Sequence, residues 1–106
     1  MNKTLIVDDM QVVYDRLRTQ FPNSDYSSNL PDALKRIETG DYNQVITDYH
    51  LGDNFPTGGL DVIRAAVKKG IETIISMSSQ NHEKEALEAG ANEFHFKREL
   101  LENGTK

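Results

Sequence analysis

The chain has 106 residues, 27% of them charged and 37% hydrophobic, a length and balance that suit a single folded domain over residues 1–106. A formal net charge of -5 leaves no basic face for nucleic acid or an anionic membrane, so neither is expected as a partner. With no cysteine, no apolar leader and no run near the roughly 20 apolar residues of a membrane span, disulfides, thiolate zinc and membrane insertion drop out, and a reducing, cytoplasmic setting is expected.

In chain order, a short β-branched run over Thr4 to Val7 ends on two carboxylates, Asp8 and Asp9. Met10, Val13, Leu17 and Phe21 then recur at helical spacing until Pro22, which predicts a helix with those residues inward. A weaker strand, "SDYSS", precedes a second helix with Pro31 near its start, Gly40 past its end, and Ala33, Leu34 and Ile37 as its apolar face. A third strand, Val45 to Thr47, delivers Asp48 to its end and dissolves into a loop with Gly52, Pro56, Gly58 and Gly59. Leu60, Ile63 and Val67 mark the inward face of a third helix, which Lys68, Lys69 and Gly70 close. "TIISMS" reads as the fourth strand, residues 82–89 as a short helix ending at Gly90, and "EFHFK" as the fifth strand. Ser79 or Asn81 is placed to cap the fourth helix.

Strands alternating with helices predict a parallel sheet covered on both faces. Right-handed crossovers leave few topologies, and the expected fold is flavodoxin-like and doubly wound, with strand order 2-1-3-4-5. Function in such a sheet gathers beyond the carboxyl ends of its strands, at the switch point between the first and third. Those two strands end on aspartates, so Asp8, Asp9 and Asp48 should meet. Three clustered carboxylates repel one another unless a cation neutralises them, and a hard ion with few protein ligands suits Mg²⁺. Ser78 and Lys97 end the fourth and fifth strands on the same rim, as a hydroxyl donor and a compact positive charge. A carboxylate nucleophile, Mg²⁺, a hydroxyl and a lysine make a phosphoryl-transfer site.

These residues resemble the receiver domain of two-component response regulators, through "LIVDD" (5–9), "VITDYHLGD" (45–53), "GGLDVI" (58–63), "IISMSS" (74–79), "EAGANEF" (88–94) and Lys97. The resemblance spans about residues 3 to 97. It implies that Asp48 accepts a phosphoryl group from the phosphohistidine of a histidine kinase or phosphotransfer protein, with slow self-hydrolysis afterwards. It also implies metal binding by Asp8, Asp9, Asp48 and the backbone carbonyl of His50, and a switch in which Ser78 follows the phosphoryl oxygens and draws Phe94 inward. Output would be by contact with a downstream protein. The alternative is a degenerate receiver, a phosphorylation-independent interaction module. "DYHLGD" also approaches the Asp-x-His-x-x-Gly pattern of cobalamin-binding modules, but its glycine comes one residue early and it follows the third strand. Dehalogenase-type phosphatases want a second aspartate where this chain has His50.

The chain departs from the receiver pattern in four places. The loop after Asp48 is longer, with Gly52 where a proline is common, and the segment from Ser78 to Gly90 is shorter. Arg98 follows Lys97 where the family has a proline, so a trans bond is expected. Only "RELLENGTK" follows Lys97, so the last helix is expected truncated or absent, with Leu100 and Leu101 covering what a full helix would. An apolar sheet face left bare there would invite a homodimer or a partner helix.

Overall fold

The computed structural model describes residues 3–103. Its elements alternate: β1 (Thr4–Val7), α1 (Gln11–Leu17), β2 (Ser24–Ser27), α2 (Leu30–Thr39), β3 (Gln44–Asp48), α3 (Gly58–Lys69), β4 (Thr73–Ser78), α4 (Glu83–Ala89), β5 (Glu93–Phe96) and α5 (Lys97–Asn103). The strands form one parallel sheet in the order β2-β1-β3-β4-β5, the flavodoxin-like arrangement.

Alternation along each strand divides the core in two. On one face Leu5, Val7, Val45 and Ile74 pack against Ala33 and Ile37 of α2, Val62, Ile63 and Ala66 of α3, and Ala86 of α4. On the other, Ile6, Ile46, Ile75 and Met77 meet Val13 and Leu17 of α1 and Leu100 of α5. The central strands are thus buried on both faces and mostly apolar, with Thr47 and Ser76 as buried polar exceptions.

Helix faces differ in detail from the sequence pattern. Helix α1 stops at Leu17, so Met10 precedes it and stays exposed, while Phe21 packs against the core from beyond its end. Helix α3 is rotated: Val62, Ile63 and Ala66 are buried, Leu60 is half-buried and Val67 is 49% exposed. It begins at Gly58 and must serve β3, β4, α2 and α4 together, which favours a broad face centred on Val62 and Ala66 over the Leu60–Val67 stripe. Helix α4 has His82 at its N-cap position without a side-chain cap, rather than Ser79 or Asn81, although Asn81 Oδ1 accepts the Glu83 N–H at 3.1 Å.

The last helix is present as seven residues and begins at Lys97, immediately after β5. Leu100 is fully buried over Ile6, Ile46, Ile75 and Met77, with Leu101 packed beside it. Beside α5 an open cleft of about 610 Å³ is lined by Phe96 and Leu101, so part of the apolar surface expected on this side is accessible. On that side β5 presents Glu93 and His95, the register partners of Ile75 and Met77, and their side chains join at 2.8 Å. Phe94 and Phe96 point to the opposite face as partners of Ser76 and Ser78. The apolar core on this side therefore stops at β4, where Leu100 covers Ile75 and Met77. Every described peptide bond is trans, Lys97–Arg98 included.

Candidate functional site

The site forms because β1 and β3 are adjacent and end level with one another. Val7 pairs with Thr47, so Asp8 and Asp48 stand one step further along neighbouring strands. Asp8 is fully buried, Asp48 is 6% exposed, and Asp9 faces solvent. Asp8, Asp9 and Asp48 can each bring one oxygen to a common point, all within 4.8 Å of one another. Lys97 reaches back from the first residue of α5 to bridge two of them, with Nζ 2.7 Å from Asp8 Oδ2 and 3.0 Å from Asp48 Oδ2. The Asp48 contact is a hydrogen bond. The contact to Asp8 is the shorter of the two, an ion pair to the buried Oδ2.

An open cleft of about 610 Å³ runs along this rim, lined by Asp9, Asp48, His50, Ser78 and Lys97, with Tyr49 and His82 forming part of its wall. Ser78 ends β4, and its hydroxyl accepts the Gln80 N–H at 3.1 Å, which fixes the turn that follows. His50 is exposed on the cleft. Phe94 is half-buried, packed against the core and edge-on to Phe96 at 5.5 Å. The structure therefore brings together Asp8, Asp9, Asp48, Ser78, His50 and Lys97, with Phe94 two residues before the end of the neighbouring strand.

Burial dominates the electrostatics. It raises the Asp8 carboxyl from 3.8 to about 6, and the charge of Asp48 adds to it, against the opposing pull of Lys97 and the Met10 N–H. Asp48 is also raised, first by burial and then by Asp9, against Lys97. Burial would lower the Lys97 ammonium, but its contacts with Asp8 and Asp48 outweigh that and hold it above its ordinary value. One buried cation thus faces more negative charge than it neutralises. The oxygen-only donor set and the excess of buried negative charge fit a hard divalent cation.

Three supporting features escape the sequence pattern. Helix α3 starts in contact with the end of β3: the Gly59 N–H donates to the Tyr49 carbonyl at 2.9 Å, and a Cβ at Gly59 would collide with the backbone of Asp48 and Tyr49. The Tyr49 and His82 rings stack face to face, with centroids 3.7 Å apart and planes 4° from parallel, tying the start of α4 to the cleft. Tyr26 of β2 stacks on Tyr14 of α1 at 4.9 Å and donates its hydroxyl to the Asp8 carbonyl at 2.8 Å. The doubled glycine at 58–59 is the one sequence signal for the first. Nothing in local spacing announces the two ring stacks, because each joins distant segments.

No family model and no curated protein sequence matches the chain. Solved structures do match. A response regulator protein from Thermotoga maritima, in complex with Mg²⁺ and BeF, is 26% identical with a TM-score of 0.76, over 91% of this chain and 86% of that one. A CheY-like receiver domain from Methanospirillum hungatei is 23% identical with a TM-score of 0.77, over 96% of this chain and 89% of that one. A response regulator from Burkholderia pseudomallei, with a phosphorylated aspartic acid and a calcium ion, is 20% identical with a TM-score of 0.77 over 89% of this chain, which spans 58% of that longer one. The shared architecture is that of response-regulator receiver domains.

Proposed function

We propose that this chain, built on the receiver-domain fold of response regulators, accepts a phosphoryl group on Asp48 from the phosphohistidine of a histidine kinase or phosphotransfer protein. The observation that carries the reading is the convergence of Asp8, Asp9 and Asp48 within 4.8 Å, with Lys97 bridging two of them, at the switch point of the sheet. An Asp48 oxygen attacks phosphorus, the P–N bond breaks, and the imidazole leaves with its bonding pair. Self-hydrolysis reverses the modification: water attacks phosphorus, the P–O bond to Asp48 breaks, and the carboxylate and inorganic phosphate are released.

Asp8, Asp9, Asp48 and the His50 carbonyl would hold Mg²⁺, which supplies charge neutralisation between the acceptor and the incoming phosphoryl oxygens. Lys97 already touches the acceptor and would transfer its contact from the carboxylate to a phosphoryl oxygen. Ser78 on the opposite wall donates its hydroxyl to another. Its oxygen accepts the Gln80 N–H while its O–H donates, which links the phosphoryl group to the β4–α4 turn. Phe94, half-buried beside that strand, is the side chain placed to follow. The modified surface then acts by contact with a downstream protein, in the cytoplasm. A second copy or a partner helix on the α5 side belongs to the same reading, supported by the open cleft there that Phe96 and Leu101 line.

Incubation with Mg²⁺ and acetyl phosphate, followed by intact mass measurement beside Asp48→Asn, tests the proposal. One added phosphoryl group, absent without metal and absent in the variant, is expected. If neither acetyl phosphate nor a beryllofluoride mimic is bound, the phosphorylation-independent interaction module replaces it.

A further inference from the structure

Asp8 and Asp9 are joined by one peptide plane, and its orientation sets the directions in which both carboxylates leave the backbone. That plane lies beyond the last residue of β1, where ladder hydrogen bonds end. On its near side Asp8 is still held, because its N–H donates to the Ser27 carbonyl at 3.1 Å. On its far side the Asp8 carbonyl accepts the Tyr26 hydroxyl at 2.8 Å. Both peptide groups flanking Asp8 are thus tied to the same edge strand, β2, one by backbone and one by a side chain.

The reach is geometric. Tyr26 pairs with Ile6 in the parallel register, and two further residues of strand advance the chain about 6.6 Å. A tyrosine lying along the strand spans that distance, and stacking on Tyr14 at 4.9 Å holds it there. We propose that Tyr26 is a positioning residue for divalent-cation binding: its hydroxyl sets the Asp8–Asp9 peptide plane and so aims the two carboxylates at Asp48. It touches neither phosphoryl group nor metal and acts through the Asp8 carbonyl alone. The proposal rests on the metal-dependent reading of the site, which gives the aligned carboxylates something to hold.

The test is a Mg²⁺ titration of the full chain, followed by calorimetry or backbone amide shifts, for the wild type, Tyr26→Phe and Tyr14→Leu. Melting in metal-free buffer is measured alongside. Tyr26→Phe keeps the ring and removes only the hydroxyl, so the fold should persist. Its Mg²⁺ Kd should rise about tenfold, the effect of losing a partner that orients a metal ligand. Tyr14→Leu removes the stack that holds the Tyr26 ring, so it should lower the metal-free melting temperature and also weaken Mg²⁺ binding, by less than Tyr26→Phe because the hydroxyl is still present. Equal affinity in Tyr26→Phe and wild type overturns the inference, whatever happens to melting, and leaves the phosphoacceptor reading intact. A wild type that binds no Mg²⁺ overturns both.

Discussion

Asp8→Asn should make this protein more stable without metal and less stable with it. The wild-type carboxyl is fully buried and raised from 3.8 to about 6, so near neutral pH it is ionised against a gradient the unfolded chain does not feel. At ~1.4 kcal/mol per pKa unit that difference amounts to about 3 kcal/mol favouring the unfolded state. The sign follows from proton counting. Between the unfolded value of 3.8 and the folded value of about 6 the native state holds the extra proton, so stability falls as pH rises through that window and levels off above it. Asparagine keeps an oxygen for the Met10 N–H, which Asp8 Oδ1 accepts at 2.8 Å, and Lys97 retains Asp48 at 3.0 Å. The gain at neutral pH should therefore be about 1–3 kcal/mol, or a melting temperature higher by at least ~5 °C for a domain of this size. Saturating Mg²⁺ reverses the order, since about a thousandfold excess over Kd stabilises the wild type by ~4.1 kcal/mol and the variant lacks a ligand. Melting curves from acid to neutral pH, with chelator and with Mg²⁺, report both effects. A metal-free variant less stable than wild type near neutral pH would refute the claim that charge repulsion and burial dominate the site.

Lys97→Met should cost about 3–5 kcal/mol near neutral pH, because it strands two buried carboxylates; urea denaturation should show the loss shrinking in mild acid as those carboxylates take up protons. Gly59→Ala should cost ~1–3 kcal/mol, since its methyl meets the Asp48 and Tyr49 backbone, and it should slow phosphorylation by acetyl phosphate through displacement of Asp48. Leu100→Ala should cost ~2–5 kcal/mol in the same denaturation assay, and its amide exchange should show α5 opening. A loss well under ~1 kcal/mol would mean that α5 does not close the sheet.

The sheet was legible because β-branched runs and glycine or proline breaks repeat in a strict order, and because Asp8 and Asp48 stand at the ends of two of those runs. Parallel pairing puts the ends of neighbouring strands level, so the acidic cluster follows from topology without knowledge of any side-chain angle. Faces of the short helices were less legible. A stripe such as Leu60, Ile63 and Val67 is one of several choices when a helix touches a sheet and two other helices, and packing favoured Val62 and Ala66. The Tyr49–His82 and Tyr14–Tyr26 stacks were not legible, because they depend on which loops approach one another in space.

The alternation of β5 decides which side chains lie on each face beside α5. A strand reading Glu93, Phe94, His95, Phe96 puts its two phenylalanines toward α4 and its two polar side chains toward α5. Leu100 is the α5 residue buried in the second core, to which β5 itself contributes no apolar side chain. The same short helix begins with Lys97, so the residue that neutralises the acidic cluster and the residue that seals the second core lie one turn apart. Closure of the fold and placement of the cation are thus one structural event. Loosening α5 at Leu100 should release Lys97 as well, leaving Asp8 and Asp48 to repel one another until a divalent ion or protons replace it.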